Sequence, residues 1–143
     1  DFIAGAAELL SPDNEPDHWD IIEGLGTLFH PGYSGVSLGL LHGSQPDAFV
    51  VCHEAKRTRV CGWEHFALPT IQECIDLHIA AGRRTNPAIR CVGVSVNTAG
   101  LQSTQRANYL ADTSAATGLP CVDPLVDGCA AIVDYLLAQP WES

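Results

Sequence analysis

Methionine is absent from all 143 residues, and lysine plus arginine number seven against seventeen aspartates and glutamates. The resulting formal charge of −10 argues against a nucleic-acid surface, where a basic stripe is expected, and disfavours an anionic membrane. A local Lys56-Arg57-Thr58-Arg59 cluster nevertheless survives in the acidic background. No apolar run approaches the ~20 residues that span a bilayer. None of the six cysteines, Cys52, Cys61, Cys74, Cys91, Cys121 and Cys129, belongs to a C-x-x-C pair. Neither a zinc site nor a disulfide framework is therefore expected, and free thiols in a reducing cytoplasm are. A chain that begins at Asp1 inside a helix-like pattern and has no Met is expected to be part of a longer product.

What is present reads as a globular α/β domain. Hydrophobic residues at 46% with charged residues at 17% argue against disorder and for a real core. Four apolar runs, Trp19 to Glu23, Ala48 to His53, Arg90 to Asn97 and Leu119 to Val122, do not alternate cleanly. That is the pattern of strands buried on both faces. Helical patterns separate them. Thr70-Ile71-Gln72-Glu73 forms a capping box, with Thr70 as N-cap. Ile71, Cys74, Ile75, His78 and Ile79 then make one apolar face, which Gly82 can end. Ala107, Leu110, Ala111 and Ala115 mark a second helix. Cys129, Ile132, Val133, Leu136 and Leu137 mark a third, with Asp127 as its N-cap. A shorter helix is expected from Ser34 to His42, closed by Gly43, its Gly35 and Gly39 tolerated for a close approach to a strand or ligand. The fold expected is a doubly wound, mainly parallel sheet with right-handed crossovers. The stretch Lys56 to Pro69 reads as a long loop, of the kind that is often functional.

Strand exits in such a sheet share one edge, where ligands bind. Each exit carries a useful group: Glu23 before the turn-forming Gly24 and Gly26, then His53 and Glu54, then Asn97, then Asp123. His30, Ser34 and His42 lie between the first two strands. Ordinary uses compete with each. Glu23 can cap a helix, His30 can set its own turn with Pro31, and His42 suits a helix end. His65 reads as a solvated loop residue and His78 as packed. Trp19, Phe29, Phe49 and Tyr135 read as core. His53 with Glu54 is the better acid–base candidate, since histidine titrates near neutrality. Arg57 and Arg59 can grip a carboxylate bidentately, although a solvated charge pair is their default.

Several long motifs resemble one family. They are Asp1-Phe2-Ile3-Ala4-Gly5-Ala6-Ala7-Glu8, Leu10-Ser11-Pro12-Asp13-Asn14, the segment His18 to Pro31, the segment Gly39 to Ala48, Cys52-His53-Glu54 and Val94-Ser95-Val96-Asn97-Thr98. Together they are similar to the C-terminal domain of the DgcN family, the D-glutamate (D-amino acid) N-acetyltransferases. The resemblance implies a P-loop NTPase-like domain preceded by a Rossmann-like one, and acetyl transfer from acetyl-CoA to the amine of D-glutamate. Asp20 to Gly26 is similar to the strand-Glu-Gly loop of dethiobiotin synthetase-like proteins. The departure is that no G-x-x-x-x-G-K-[ST] loop occurs; the resemblance places it, with the first domain, upstream of Asp1.

For that reaction Glu23, His53 and Glu54 are the catalytic candidates. His30, Ser34, Arg57 and Asn97 are the substrate-binding ones, with Arg57 as carboxylate clamp. No metal site is expected. The alternative is an ATP-dependent ligase or kinase-like enzyme, in which Glu23 helps to place Mg²⁺ and Asn97 lies near the nucleotide base. A non-catalytic small-molecule-binding protein is the third reading. The partners expected are a small-molecule substrate, the upstream half and further copies of the chain.

Overall fold

The run Arg90–Asn97, the most buried of the strands, is the central strand of the sheet. The computed structural model describes residues 2–15, 17–24 and 26–141. In chain order the elements are α1 (Phe2–Leu10), α2 (Ser34–Ser44), β1 (Ala48–Glu54), β2 (Arg59–Val60), β3 (Trp63–Ala67) and α3 (Ile71–Gly82). They continue with β4 (Arg90–Asn97), α4 (Ser103–Thr117), β5 (Cys121–Val122) and α5 (Ala130–Leu137). Two compact units result, one made of Asp1–Asp47 and Asp76–Ile89, the other of Ala48–Ile75 and Arg90–Trp141.

The second unit holds a three-stranded parallel sheet in the order β1-β4-β5. The β1–β4 pairing slips between Phe49 and Val50, leaving Val92 as an extra residue on β4. A one-residue slip reverses which face a side chain meets. Val94 and Val96, both fully buried, accordingly pack with Tyr109 and Leu110 of α4, whereas Val92 packs with Val122 of β5 and Ile132 of α5. Each buried valine contributes roughly 1.5–3 kcal/mol. Gly93 makes room for α5, since a Cβ there would lie 2.7 Å from Ile132. This is the doubly wound, mainly parallel α/β class expected from the sequence.

In the first unit α1 and α2 lie very close. A Cβ on Gly43 would stand 2.1 Å from the Ala4 carbonyl, and one on Gly39 2.8 Å from Ile3. Gly39 therefore admits a neighbouring helix rather than the strand or ligand expected, and Gly35, with nothing within 4 Å of an added Cβ, makes no close approach. Gly43 does not close α2, which runs to Ser44 and ends on Gln45 in the left-handed region. The ring of His42 reaches the Ala81 carbonyl at 3.0 Å, tying α2 to α3. His42 is thus structural.

Three further expectations fail. No strand forms at residues 19–23, where Trp19 is 54% and Ile21 89% exposed. An apolar run becomes a strand only when another strand takes its backbone groups, and no described strand pairs with this one. Trp19 is consequently not core. The stretch expected as a loop after β1 contains the antiparallel pair β2–β3, turned at Gly62 with φ +75°. Gly82 is the last residue of α3, as expected, and it also makes room for Ile89, whose side chain would lie 2.6 Å from a Cβ at that position. Asp127 does not cap α5, whose N-cap is Cys129. The Thr70–Glu73 capping box is present, with Glu73 N–H to Thr70 Oγ1 at 3.1 Å and Thr70 N–H to Glu73 Oε2 at 2.7 Å.

Candidate functional site

A cleft of about 390 Å³ opens within the second unit beside the end of β1. His53 of β1 and Arg57 and Thr58 beyond it form one side. Leu68 and Pro69, with Thr70, Ile71 and Gln72 at the start of α3, form another. The third is one face of α4, Tyr109, Thr113, Ala116 and Thr117, at the spacing i, i+4, i+7, i+8. The β2–β3 pair sets one wall, because the Leu68 N–H donates to the Thr58 carbonyl at 3.0 Å and closes the base of the hairpin.

His53 is half-buried, and its ring lies nearly parallel to that of Tyr109, with centroids 6.4 Å apart and planes 8° from parallel. Burial lowers the His53 pKa below the ordinary histidine value; the Arg57 charge lowers it further, and Glu54 opposes both. The imidazole is thus neutral at neutral pH, with one ring nitrogen able to accept a proton. Burial pushes the Tyr109 phenol up, so it stays protonated.

Arg57 forms an ion pair with Glu54 across a tight turn in which the Arg57 N–H donates to the Glu54 carbonyl at 3.2 Å. Lys56 occupies the left-handed region at φ +71°, and its ammonium donates to the Gly100 carbonyl. A side chain held there costs about 1 kcal/mol or more, and such residues cluster at functional sites. Lys56, Arg57 and Arg59 are three of only seven Lys and Arg in the chain, so positive charge is concentrated beside the cleft.

The other candidates are placed as follows. Asn97, at the exit of β4, accepts the Ala99 N–H on Oδ1 at 3.0 Å, and its carbonyl accepts the Ala55 N–H at 3.0 Å. Its side chain shapes the turn next to β1. Glu23, His30 and Ser34 belong to the first unit. Glu23 is exposed and follows no strand. His30 Nδ1 accepts the backbone N–H groups of Gly32 at 3.0 Å and Tyr33 at 3.2 Å, and its carbonyl accepts the Ser34 N–H at 3.0 Å. It forms the turn that starts α2, the ordinary use that competed with a site role. His53, Glu54, Arg57 and Asn97 are together in the second unit; Glu23, His30 and Ser34 are not in it.

Tyr109 and Thr113 line the cleft without having been singled out from sequence. The signal for them was a polar-tipped aromatic beside Leu110, with a threonine one turn later on the same helix face. Among the described residues no three His, Cys, Asp or Glu side chains converge as a metal site. Nor is any described helix long and apolar enough to cross a membrane.

Comparison with known proteins gives consistent matches. Residues 1–133 match the family model described as a domain of unknown function, DUF1611_C, P-loop domain. A protein from a Pseudoalteromonas species named D-glutamate N-acetyltransferase is 55% identical over 95% of this chain and 41% of its own length. One of the same name from Tritonibacter scottomollicae is 45% identical over 96% of this chain and 41% of its own. The crystal structure of a DUF1611 family protein from Anabaena variabilis ATCC 29413 superposes with a TM-score of 0.84 at 34% identity, covering 95% of this chain and 40% of that one. The chain thus spans about two fifths of the length of the relatives it matches. It belongs to the DUF1611 family, as a C-terminal P-loop domain.

Proposed function

We propose that this domain serves a D-glutamate N-acetyltransferase, with acetyl-CoA as the acyl donor, and that the cleft beside β1 receives the amino acid. The observation that carries the reading is the pairing, in one cleft, of a neutral half-buried histidine with an arginine. It is joined by the names of the two curated relatives.

Acetyl transfer to an amine needs a base for the substrate ammonium, a cation for its carboxylate and exclusion of bulk water. His53 takes the ammonium proton on its free ring nitrogen, and the uncharged amine can then attack the thioester carbonyl. Arg57 holds a substrate carboxylate. Tyr109 stacks on His53 and keeps the ring plane aimed into the cleft. Acetyl-CoA supplies an activated acyl group, with the thiol as leaving group. The six cysteines, all thiols, support a reducing, cytoplasmic setting. The exposed Phe2, Leu9 and Leu10 of α1, each above 80%, support an assembly larger than this chain alone.

The test is release of free CoA from acetyl-CoA, dependent on D-glutamate, by protein of the relatives' full length. The expected result is turnover lost on His53→Gln and KM raised on Arg57→Gln. Nucleotide hydrolysis without acetyl transfer would instead select the ligase or kinase-like reading.

A further inference from the structure

Among the described residues Arg57 is the one permanently charged side chain lining the cleft, yet its guanidinium is already held by a carboxylate of the same turn, that of Glu54. Glu54 itself does not line the cleft. We propose that Glu54 is an internal stand-in for the substrate carboxylate: it holds Arg57 until an anionic substrate enters and displaces it. The inference rests on the cleft being the acceptor site, as proposed above.

Three observations support it. The pair is local and built into the backbone. Glu54 and Arg57 are three residues apart, joined by the 3.2 Å turn hydrogen bond, and the intervening Lys56 is locked left-handed with its ammonium on Gly100. Arg57 is therefore delivered to the cleft rim by the turn itself, with Lys56 anchored on Gly100. Next, the pair is weak enough to exchange. Its two side chains are 46% and 45% exposed, so water competes for both and salt screens them. A substrate carboxylate gripped by both guanidinium nitrogens within the cleft has better geometry and less competing water. Lastly, Lys56 is tied to Gly100, so this nearest cation is not presented to replace Arg57.

Glu54 on this account is neither base nor acid. It is a competitor whose removal should tighten binding, which a merely structural residue would not do. In protein of full length, Glu54→Gln is expected to lower KM for D-glutamate about two- to fivefold, the factor that an exposed ion pair of this kind corresponds to, with kcat within about twofold. Inhibition by glutarate, a dicarboxylate with no amine, should tighten by the same factor. Both gains should vanish in the Glu54→Gln, Arg57→Gln double variant. A KM that stays the same or rises in Glu54→Gln, while Arg57→Gln still impairs binding, would overturn the stand-in role and leave the acceptor cleft intact. Acetyl transfer indifferent to both Arg57→Gln and His53→Gln would overturn the acceptor site itself.

Discussion

Asp123, past the end of β5, accepts hydrogen bonds on one carboxylate oxygen from both the backbone N–H, at 3.1 Å, and the hydroxyl of Thr98, past the end of β4. Both residues are 3% exposed. The other oxygen of Asp123 accepts the Leu125 N–H at 3.1 Å, and the Asp123 N–H donates to Asp127 Oδ2 at 3.0 Å. Asp127 in turn pairs with Arg106 of α4. One buried carboxylate therefore joins two strand exits, and its neighbour ties them to a helix.

Replacing Asp123 by Asn leaves one acceptor oxygen where two backbone N–H groups now need one each. A buried N–H without an acceptor costs about 1–3 kcal/mol. Urea unfolding of Asp123→Asn should show a stability loss of that order at an unchanged m-value. A midpoint equal to the parent's would mean that the network is not holding the sheet edge.

The same network gives an acid limit. Hydrogen bonding from Thr98 holds the Asp123 carboxyl below its ordinary value, and the Asp123 N–H followed by Arg106 does so for Asp127. The folded state then binds fewer protons than the unfolded one, so this stability is fully present above the ordinary aspartate pKa, near 3.8. It is lost as pH falls through the lowered folded values. Thermal melts from pH 6 down should show a fall in Tm over that range that is smaller in Asp123→Asn.

His53 has the same sign for a different reason. Burial lowers its pKa, so its protonated form is disfavoured in the fold. Stability and base competence both rise with pH across the window from the lowered value to the ordinary one, about 6.5. The acid limb of kcat/KM in full-length protein should lie below pH 6.5, and Arg57→Gln should move it upward because a lowering charge is removed. A limb at or above 6.5 that ignores Arg57 would assign the ionisation to another group.

Glycines on α2 should part sharply. Gly43→Ala drives a methyl into the Ala4 backbone, which cannot yield as a side-chain tip can, so a loss of about 1–3 kcal/mol or more is expected. At Gly35 nothing lies within 4 Å of the added methyl, and Ala there should stabilise by about half a kcal/mol. Calorimetry of the two variants decides the matter; equal effects would place α1 elsewhere.

Much was legible in the residues alone. The Thr70–Glu73 capping box, the apolar runs from Ala48 and Arg90, and His53 with Glu54 at a strand exit all carry local signals, and local backbone chemistry is sufficient for them. The run Trp19 to Glu23 shows the limit of that reasoning. It has strand-like composition, yet a strand also needs a partner's N–H and C=O groups, and composition does not say whether one is in reach. Asp127 shows the same limit for caps. Its side chain suits an N-cap, but Arg106 and the Asp123 N–H offered it better partners.

The sequence by itself determined the class of fold, the order of most elements and the place of His53 at a strand exit, because periodicity and capping are written in near neighbours. The tertiary structure decided which candidates share a unit. It placed Arg57 with His53 and Tyr109 around one cleft, tied His42 to the Ala81 carbonyl and joined Asp123 to Thr98. Those outcomes depend on which distant segments meet, on the one-residue slip at Val92 and on the turn at Lys56. Contacts between residues far apart in the chain carry no local signature, so only the folded arrangement could assign them.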